Sequence, residues 1–368
     1  MSGAEHSFDA FASRLLAEGF NGNDSFVTSP ASLQVALLAL AKGASGETYA
    51  EINSVLGGAD ARKEAVEALF SNECDYALEN YAFQIGTSVW MEEECGSAKD
   101  EFVKSLEEVN GEVFKASFGS EEAKEKMSEW LSKATAGKFK QAPEVPEGTL
   151  MALIAAMNFK DNWVNSLDDA EELMMTFHTP KQDLEVEMMT GLSNSNAFYE
   201  SEKSIAVSWD LESGASFVFA MPKTNTEIND FVASGDAWEA ISNCYKEQDV
   251  TYPEGGVELV VPQFELKTQG LDLNKLITSL GVKRAFSPEA EFGKITDFPL
   301  MLDQVIQNSV LKLDPFGVEG AAYTMCIAIA GCPPSVFQEP VRVVFDRPFA
   351  FALFSNTGAP LSVGVYAG

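Results

Sequence analysis

Cysteine, histidine and positive charge are all scarce in this chain, and each shortage excludes a class of function. Five cysteines, Cys74, Cys95, Cys244, Cys326 and Cys332, are spread through 368 residues. They are too few for a disulfide framework, and their odd number leaves at least one unpaired, as suits a reducing compartment. Only His6 and His178 are present, and no two cysteines have the short spacing of a zinc site, so neither a metal nor any other cofactor is expected. Lys and Arg number 25 against 56 Asp and Glu, a formal charge of -31. That balance repels nucleic acid and other polyanions, heparin among them, and chiefly serves solubility. No apolar run approaches the ~20 residues of a membrane-spanning helix. The first residues mix Glu5, His6 and Asp9 with no basic-then-apolar order, so no signal peptide and no membrane partner is expected, and a cytoplasmic or leaderless location fits.

What the chain does have is apolar material: 46% of residues are hydrophobic and 11% aromatic, enough for a large core. Phe8, Phe11, Leu15 and Leu16 fall on one helical face, and a second helix opens at Ser29-Pro30, where proline suits the first turn. Residues Ala31 to Ala41 are apolar nearly all round, the mark of a buried helix, with Gly43 and Gly46 as its stop. Strands are expected at Tyr81 to Met91 and at Met151 to Phe159, the latter buried on both faces. Between them Met127, Trp130 and Leu131 give Glu121 to Ala136 one apolar stripe, closed by Gly137. Later strands are expected at Ile205 to Trp209, Ser216 to Met221, Val257 to Leu266, Val310 to Leu313, Val341 to Phe345, Phe349 to Phe354 and Leu361 to Tyr366. Helices return at Glu227 to Tyr245 and Leu271 to Leu280. No linker or repeat divides the chain, which reads as one mixed α/β domain over residues 1–368.

Enzyme motifs are weak. A serine hydrolase needs a base beside its nucleophile, and neither His6 nor His178 sits in such a neighbourhood. Gly43-Ala44-Ser45-Gly46 lacks the spacing of a nucleophile elbow, and Ala136-Gly137-Lys138 lacks the upstream glycine of a phosphate loop. Carboxylates are so abundant that acidic pairs carry no glycosidase signal. The chain is not expected to be an enzyme.

Several segments in order resemble the serpin family. Phe26 to Leu56, with Ser29, Pro30 and Ser32, looks like that family's second helix and the region after it. Glu129-Trp130-Leu131 with Thr135, Gly137 and Lys138 resembles the helix lying across its main sheet, and Phe159-Lys160 with Trp163 resembles the central strand and the tryptophan at its top. Val261-Pro262-Gln263-Phe264, Leu280-Gly281 and Ala285-Phe286 continue the likeness, and Phe345-Asp346-Arg347-Pro348-Phe349 is its most recognisable signature. The resemblance implies a monomer with three β-sheets, eight or nine helices and an exposed reactive-centre loop over about residues 315–340. Its implied function is suicide-substrate inhibition of serine proteases, with cysteine proteases as a second class and a non-inhibitory carrier or chaperone as the alternative. Two departures concern the opening of the sheet. Where the family places a hydrogen-bonded asparagine and histidine this chain has Ala155 and Gln307, with Gln307 expected to bond Ser29 and Ser32. The glutamate usual before the loop is Pro315.

The loop's own alternation suits insertion into a sheet. Val318, Gly320, Ala322, Thr324, Cys326 and Ala328 would share one small, uncharged face, and Glu319, Ala321, Tyr323 and Met325 the other. A charge on the first face would cost several kcal/mol. Gly317 through Thr324 (Gly317, Val318, Glu319, Gly320, Ala321, Ala322, Tyr323, Thr324) form the hinge, where the glycines supply freedom to bend. Counting from Gly317 by the family's register places the scissile bond at Gly331-Cys332, with Ala330 as the alternative. No Lys or Arg lies between Lys312 and Arg342, so the expected target is an elastase-like or subtilisin-like protease preferring small apolar residues. Cys326 and Cys332 lie roughly 20 Å apart in an extended loop, too far for a disulfide.

Overall fold

The computed structural model describes residues 3–70, 78, 80–223, 226–319 and 338–368, without the side chains of 3–7 and 168–172. Helix α1 (Gly3–Gly19) buries Phe8, Phe11, Leu15 and Leu16. After strand β1 (Phe26–Thr28), the Ser29 hydroxyl oxygen accepts from Ser32 N and caps helix α2 (Pro30–Gly43), while Pro30 fills a first-turn position that needs no N–H. Helix α2 is buried almost all round, as its composition requires. Gly46 does not stop it: Gly46 begins α3 (Gly46–Val55), and α4 (Gly58–Phe70) comes next.

Strand β2 (Ala82–Glu92), helix α5 (Asp100–Leu106) and strand β3 (Gly111–Ala116) precede α6 (Glu121–Ala134). Helix α6 is capped by Ser120 and ends where Ala136 and Gly137 turn left-handed (φ 49° and 82°), Gly137 N donating back to Ser132 O at 2.7 Å. Strand β4 (Met151–Asn162) is buried along nearly its whole length. Next come β5 (Asp168–His178) and β6 (Asp183–Ser193), a hairpin that sequence pattern does not reveal because exposed Asp183, Glu185 and Glu187 interrupt any apolar run.

The second half begins with β7 (Phe198–Glu200), β8 (Ser204–Asp210) and β9 (Ser216–Pro222). The helix expected over 227–245 is two, α7 (Ile228–Ala233) and α8 (Asp236–Tyr245), parted at Gly235, whose φ is 85°. Strand β10 (Val250–Thr251) lies after them. The single strand expected over 257–266 breaks at Gln263 into β11 (Val257–Pro262) and β12 (Phe264–Asp272), which belong to different sheets. Leu271 and Asp272 end β12, and the helix expected from Leu271 is α9 (Asn274–Leu280). Strand β13 (Gln304–Asp314) starts six residues before the expected Val310, and β14 (Gly317–Val318) adds two residues beside it. Strands β15 (Val341–Val344), β16 (Phe349–Phe354) and β17 (Pro360–Tyr366) complete the chain.

The strands form three sheets, of orders β1-β17-β16-β9-β8-β7-β10, β15-β11-β6-β5 and β12-β13-β14-β4-β2-β3. With nine α-helices among the described residues, this is the expected mixed architecture. The third sheet is a layer between two others. One face looks toward α2, and on the other Ala152, Ile154, Ala156 and Ile306 pack with Met127, Trp130 and Leu131 of α6. Among the described residues no helix is long and apolar enough to cross a membrane.

Candidate functional site

The third sheet has a seam. Strands β4 and β13 run parallel and pair directly from Ala152 opposite Gln304 up to Ala156 opposite Asn308. Beyond that row they part, and β14 lies between them, antiparallel to both. Gly317 faces Asn162 on one side and Asp314 on the other, and Val318 faces Asp161 and Leu313. The fit requires glycine, because a Cβ at Gly317 would fall on the Asp161 carbonyl and Asn162 Cα. Val318 is fully buried, and Glu319 N donates to Lys312 O at 2.8 Å.

The turn into β14 is held from both ends. Asp314 Oδ1 accepts from Phe316 N (3.0 Å) and Gly317 N (3.2 Å), and Oδ2 accepts from Lys312 Nζ (3.0 Å). Trp163, just past the end of β4, donates from Nε1 to Asp314 O (3.0 Å) and from its backbone to Phe316 O (2.9 Å). The resemblance placed a tryptophan at the top of the central strand, and it locks the turn there. Pro315 is buried and its carbonyl accepts from Leu167 N at 2.9 Å, so a backbone bond stands at the position of the family's glutamate.

Beneath the seam, Gln307 lies opposite Ala155. Ala155 brings no polar group, and the Gln307 amide turns instead toward the start of α2. Its Oε1 accepts from Thr28 Oγ1 (2.5 Å) and Ser29 N (2.8 Å), with Ser309 Oγ at 3.3 Å, and its Nε2 donates to Ser29 O (2.7 Å). Ser29 Oγ donates to Leu361 O at 2.6 Å, joining this cluster to β17. The expected bond to Ser32 does not form: Ser32 Oγ is buried without a hydrogen-bond partner among the described residues. Sequence reasoning missed Thr28, although its place immediately before the Ser29 cap was the available signal.

On the opposite face of the seam, Lys138 donates to Asn158 Oδ1 (2.5 Å) and forms an ion pair with Glu319. Burial, and then the neighbouring Lys160, lower Lys138 to about 8.

Among the hinge residues, Gly317, Val318 and Glu319 are therefore placed at the seam. Gly320, Ala321, Ala322, Tyr323 and Thr324 lie outside the described residues, as do Ala330, Gly331 and Cys332. His178 is half exposed, and its Nδ1 lies 2.9 Å from Asp183 Oδ1. Cys95 and Cys244 are buried free thiols, and burial pushes Cys244 up to about 12, which keeps it protonated and inert. Among the described residues no cluster of metal-ligating side chains is found.

Comparison with known proteins agrees with this fold. The family model described as Serpin (serine protease inhibitor) matches residues 6–367. An alpha-1-antiproteinase of Callosciurus caniceps is 28% identical, the match covering 98% of this chain and 86% of the relative. A serine protease inhibitor of Cyanea capillata is 26% identical over 97% of this chain and 95% of its own length. Among solved structures, the thermophilic serpin tengpin in its native state superposes with a TM-score of 0.82 at 22% identity, covering 99% of this chain and 94% of tengpin. Human thyroxine-binding globulin complexed with thyroxine superposes with a TM-score of 0.82 at 21% identity, covering 99% of this chain and 98% of that one.

Proposed function

The chain belongs to the serpin family, and from that premise we propose that it inhibits a serine protease, with cysteine proteases as a second class, by acting as a suicide substrate. One observation carries the reading: β4 and β13 part above Ala156, and the first two loop residues already lie between them. Val318 points into the core face and Glu319 to the other, an alternation that would bring Gly320, Ala322 and Thr324 inward if the loop entered the sheet. Cleavage at Gly331-Cys332, or after Ala330, would free the loop's first half to enter the gap behind them. Each new ladder hydrogen bond would contribute ~0.5–1.5 kcal/mol. The protease supplies the catalytic groups; this chain supplies the bond that is cut and the strand that moves.

The target suited to small apolar residues around Gly331 is a protease with a shallow specificity pocket. A heparin cofactor does not suit the chain. Arg62, one of two basic residues on α4, donates to Tyr49 OH at 2.8 Å and covers its ring, while Asp60, Glu64 and Glu67 lie on the same helix. The carrier reading rests on a cavity of about 350 Å³ lined by Phe8, Tyr245, Phe354 and Ala359, a volume within the small-ligand range. The deciding experiment is incubation with elastase-like, subtilisin-like and papain-like proteases. An SDS-stable complex and a mass-mapped cut at residues 330–332 are expected; complete cleavage with no complex from any of them leaves the carrier.

A further inference from the structure

At the end of β14, residues from three separate segments meet. Lys138 lies one residue past the left-handed stop of α6, Asn158 is on β4 two residues above the last row that pairs with β13, and Glu319 directly succeeds β14. The Lys138 ammonium bridges the other two. Asn158 is buried, and the side chains of Lys138 and Glu319 are only 22% and 11% exposed, so solvent screens the pair little.

This contact fits one state of the hinge. Glu319 has a φ of 59°, a left-handed conformation that carries a steric penalty for a residue with a Cβ. For the loop to continue downward between β4 and β13, Glu319 must become extended, a rotation of about half a turn around its N–Cα bond while its N–H stays on Lys312 O. That rotation carries Cβ with it and draws the carboxylate away from Lys138. The ion pair thus stabilises the hinge with two residues inserted and is given up when insertion proceeds.

The surrounding charges make the contact sensitive to pH. Lys160 on β4 and Lys267 on β12 crowd Lys138, Glu265 on β12 offsets them, and Lys312 on β13 is held by Asp314. With burial as the largest influence, Lys138 is lowered to about 8. A lysine lowered in this way holds the ionised Glu319 while protonated, so the latch is present at neutral pH and is lost as pH rises past about 8.

We propose that Lys138 is a positioning residue that latches the hinge through Glu319 and Asn158 and sets the rate at which the loop enters the sheet. The proposal rests on the reading of the loop as an inserting strand. Its test uses the full chain with an uncut loop, warmed below its unfolding temperature, with the inserted form counted as the fraction that resists unfolding on a urea gradient gel. At pH 7, Lys138→Met and Glu319→Gln should each accelerate conversion several-fold, the double variant no further than the faster single, and Lys138→Arg should stay near wild type. Raising pH from 7 to 9 should accelerate the wild type and leave Lys138→Met unchanged. Conversion of Lys138→Met at the wild-type rate, multiplication of the two effects in the double variant, or no conversion by any variant would overturn the latch. Loop-nicked wild type separates the two ideas. If it gains heat resistance while the variants match wild type, the latch alone fails; if it gains none, the inserting-strand reading fails as well.

Discussion

Gln307 shows how one substitution can keep a cluster and change its chemistry. A neutral amide has one acceptor and one donor end: here the acceptor meets Ser29 N and Thr28 Oγ1, and the donor meets Ser29 O, which also accepts from Leu33 N at 3.2 Å. Gln307→Ala would leave Ser29 N and Thr28 Oγ1 buried without their acceptor, which at roughly 1–3 kcal/mol each predicts a loss of at least about 2 kcal/mol in urea unfolding. Ser32→Ala is expected to fall within about 0.5 kcal/mol of wild type, since its hydroxyl already has no partner among the described residues. A Ser32→Ala loss comparable to that of Gln307→Ala would show that the hydroxyl is bonded after all. The family resemblance grouped Ser29, Ser32, Ala155, Trp163 and Gln307 at the opening of the sheet; Gln307 lies opposite Ala155 and bonds Ser29, whereas Trp163 bonds Asp314 and Phe316 past the end of β4. Which atoms bond was not legible, because a side-chain amide selects its partners by position in three dimensions, and the hydroxyl of Thr28 is as competent an acceptor and donor as that of Ser32.

At the scale of elements, long apolar runs were readable and interruptions were not. Helix α2 and strand β4 follow from composition alone, since only a buried element can be apolar on every side. The break between β11 and β12 escaped because Gln263 interrupts the run by a single residue; its N–H donates to Glu187 O where the chain passes from the four-stranded sheet to the six-stranded one. Strand β14 escaped for another reason: two residues have no periodicity, and their pairing depends on the space between β4 and β13. That space predicts the effect of Gly317→Ala. The added methyl meets the backbone of Asp161 and Asn162, so the hinge cannot seat, and trapping should decline while cleavage continues, seen as less complex and more cut inhibitor per protease. Ala322→Arg probes the next stretch. An unpaired charge on the inward face costs a few kcal/mol, and ~1.4 kcal/mol is a factor of ten, so the yield of SDS-stable complex should drop by at least about tenfold. Full complex from Ala322→Arg would mean that the inward face is wrongly assigned.

For the whole molecule, the third sheet matters because it is incomplete in a particular way. A sheet with paired strands throughout has no place for another, whereas here the direct pairing of β4 with β13 ends at Ala156 and Asn308, and among the described residues only Gly317 and Val318 are paired in the gap above. Buried β4 residues therefore spend part of their length beside a seam that a longer strand could fill. Filling it would form new ladder bonds at ~0.5–1.5 kcal/mol each and bury the loop's small apolar side chains, against an ordering cost of ~1–2 kcal/mol per residue. The direct β4–β13 pairing would be exchanged for pairing of each with the new strand, so the sheet loses little. Limited proteolysis within the loop cuts the tether between its first half and β15, and the midpoint of thermal unfolding is expected to rise, by about 2–4 °C or less for each kcal/mol gained in a chain of this size. The comparison is between intact and nicked protein from one preparation, by scanning calorimetry and by circular dichroism. An unchanged midpoint after complete nicking would mean that the seam does not accept the loop, and would favour a carrier that uses the fold without its movement.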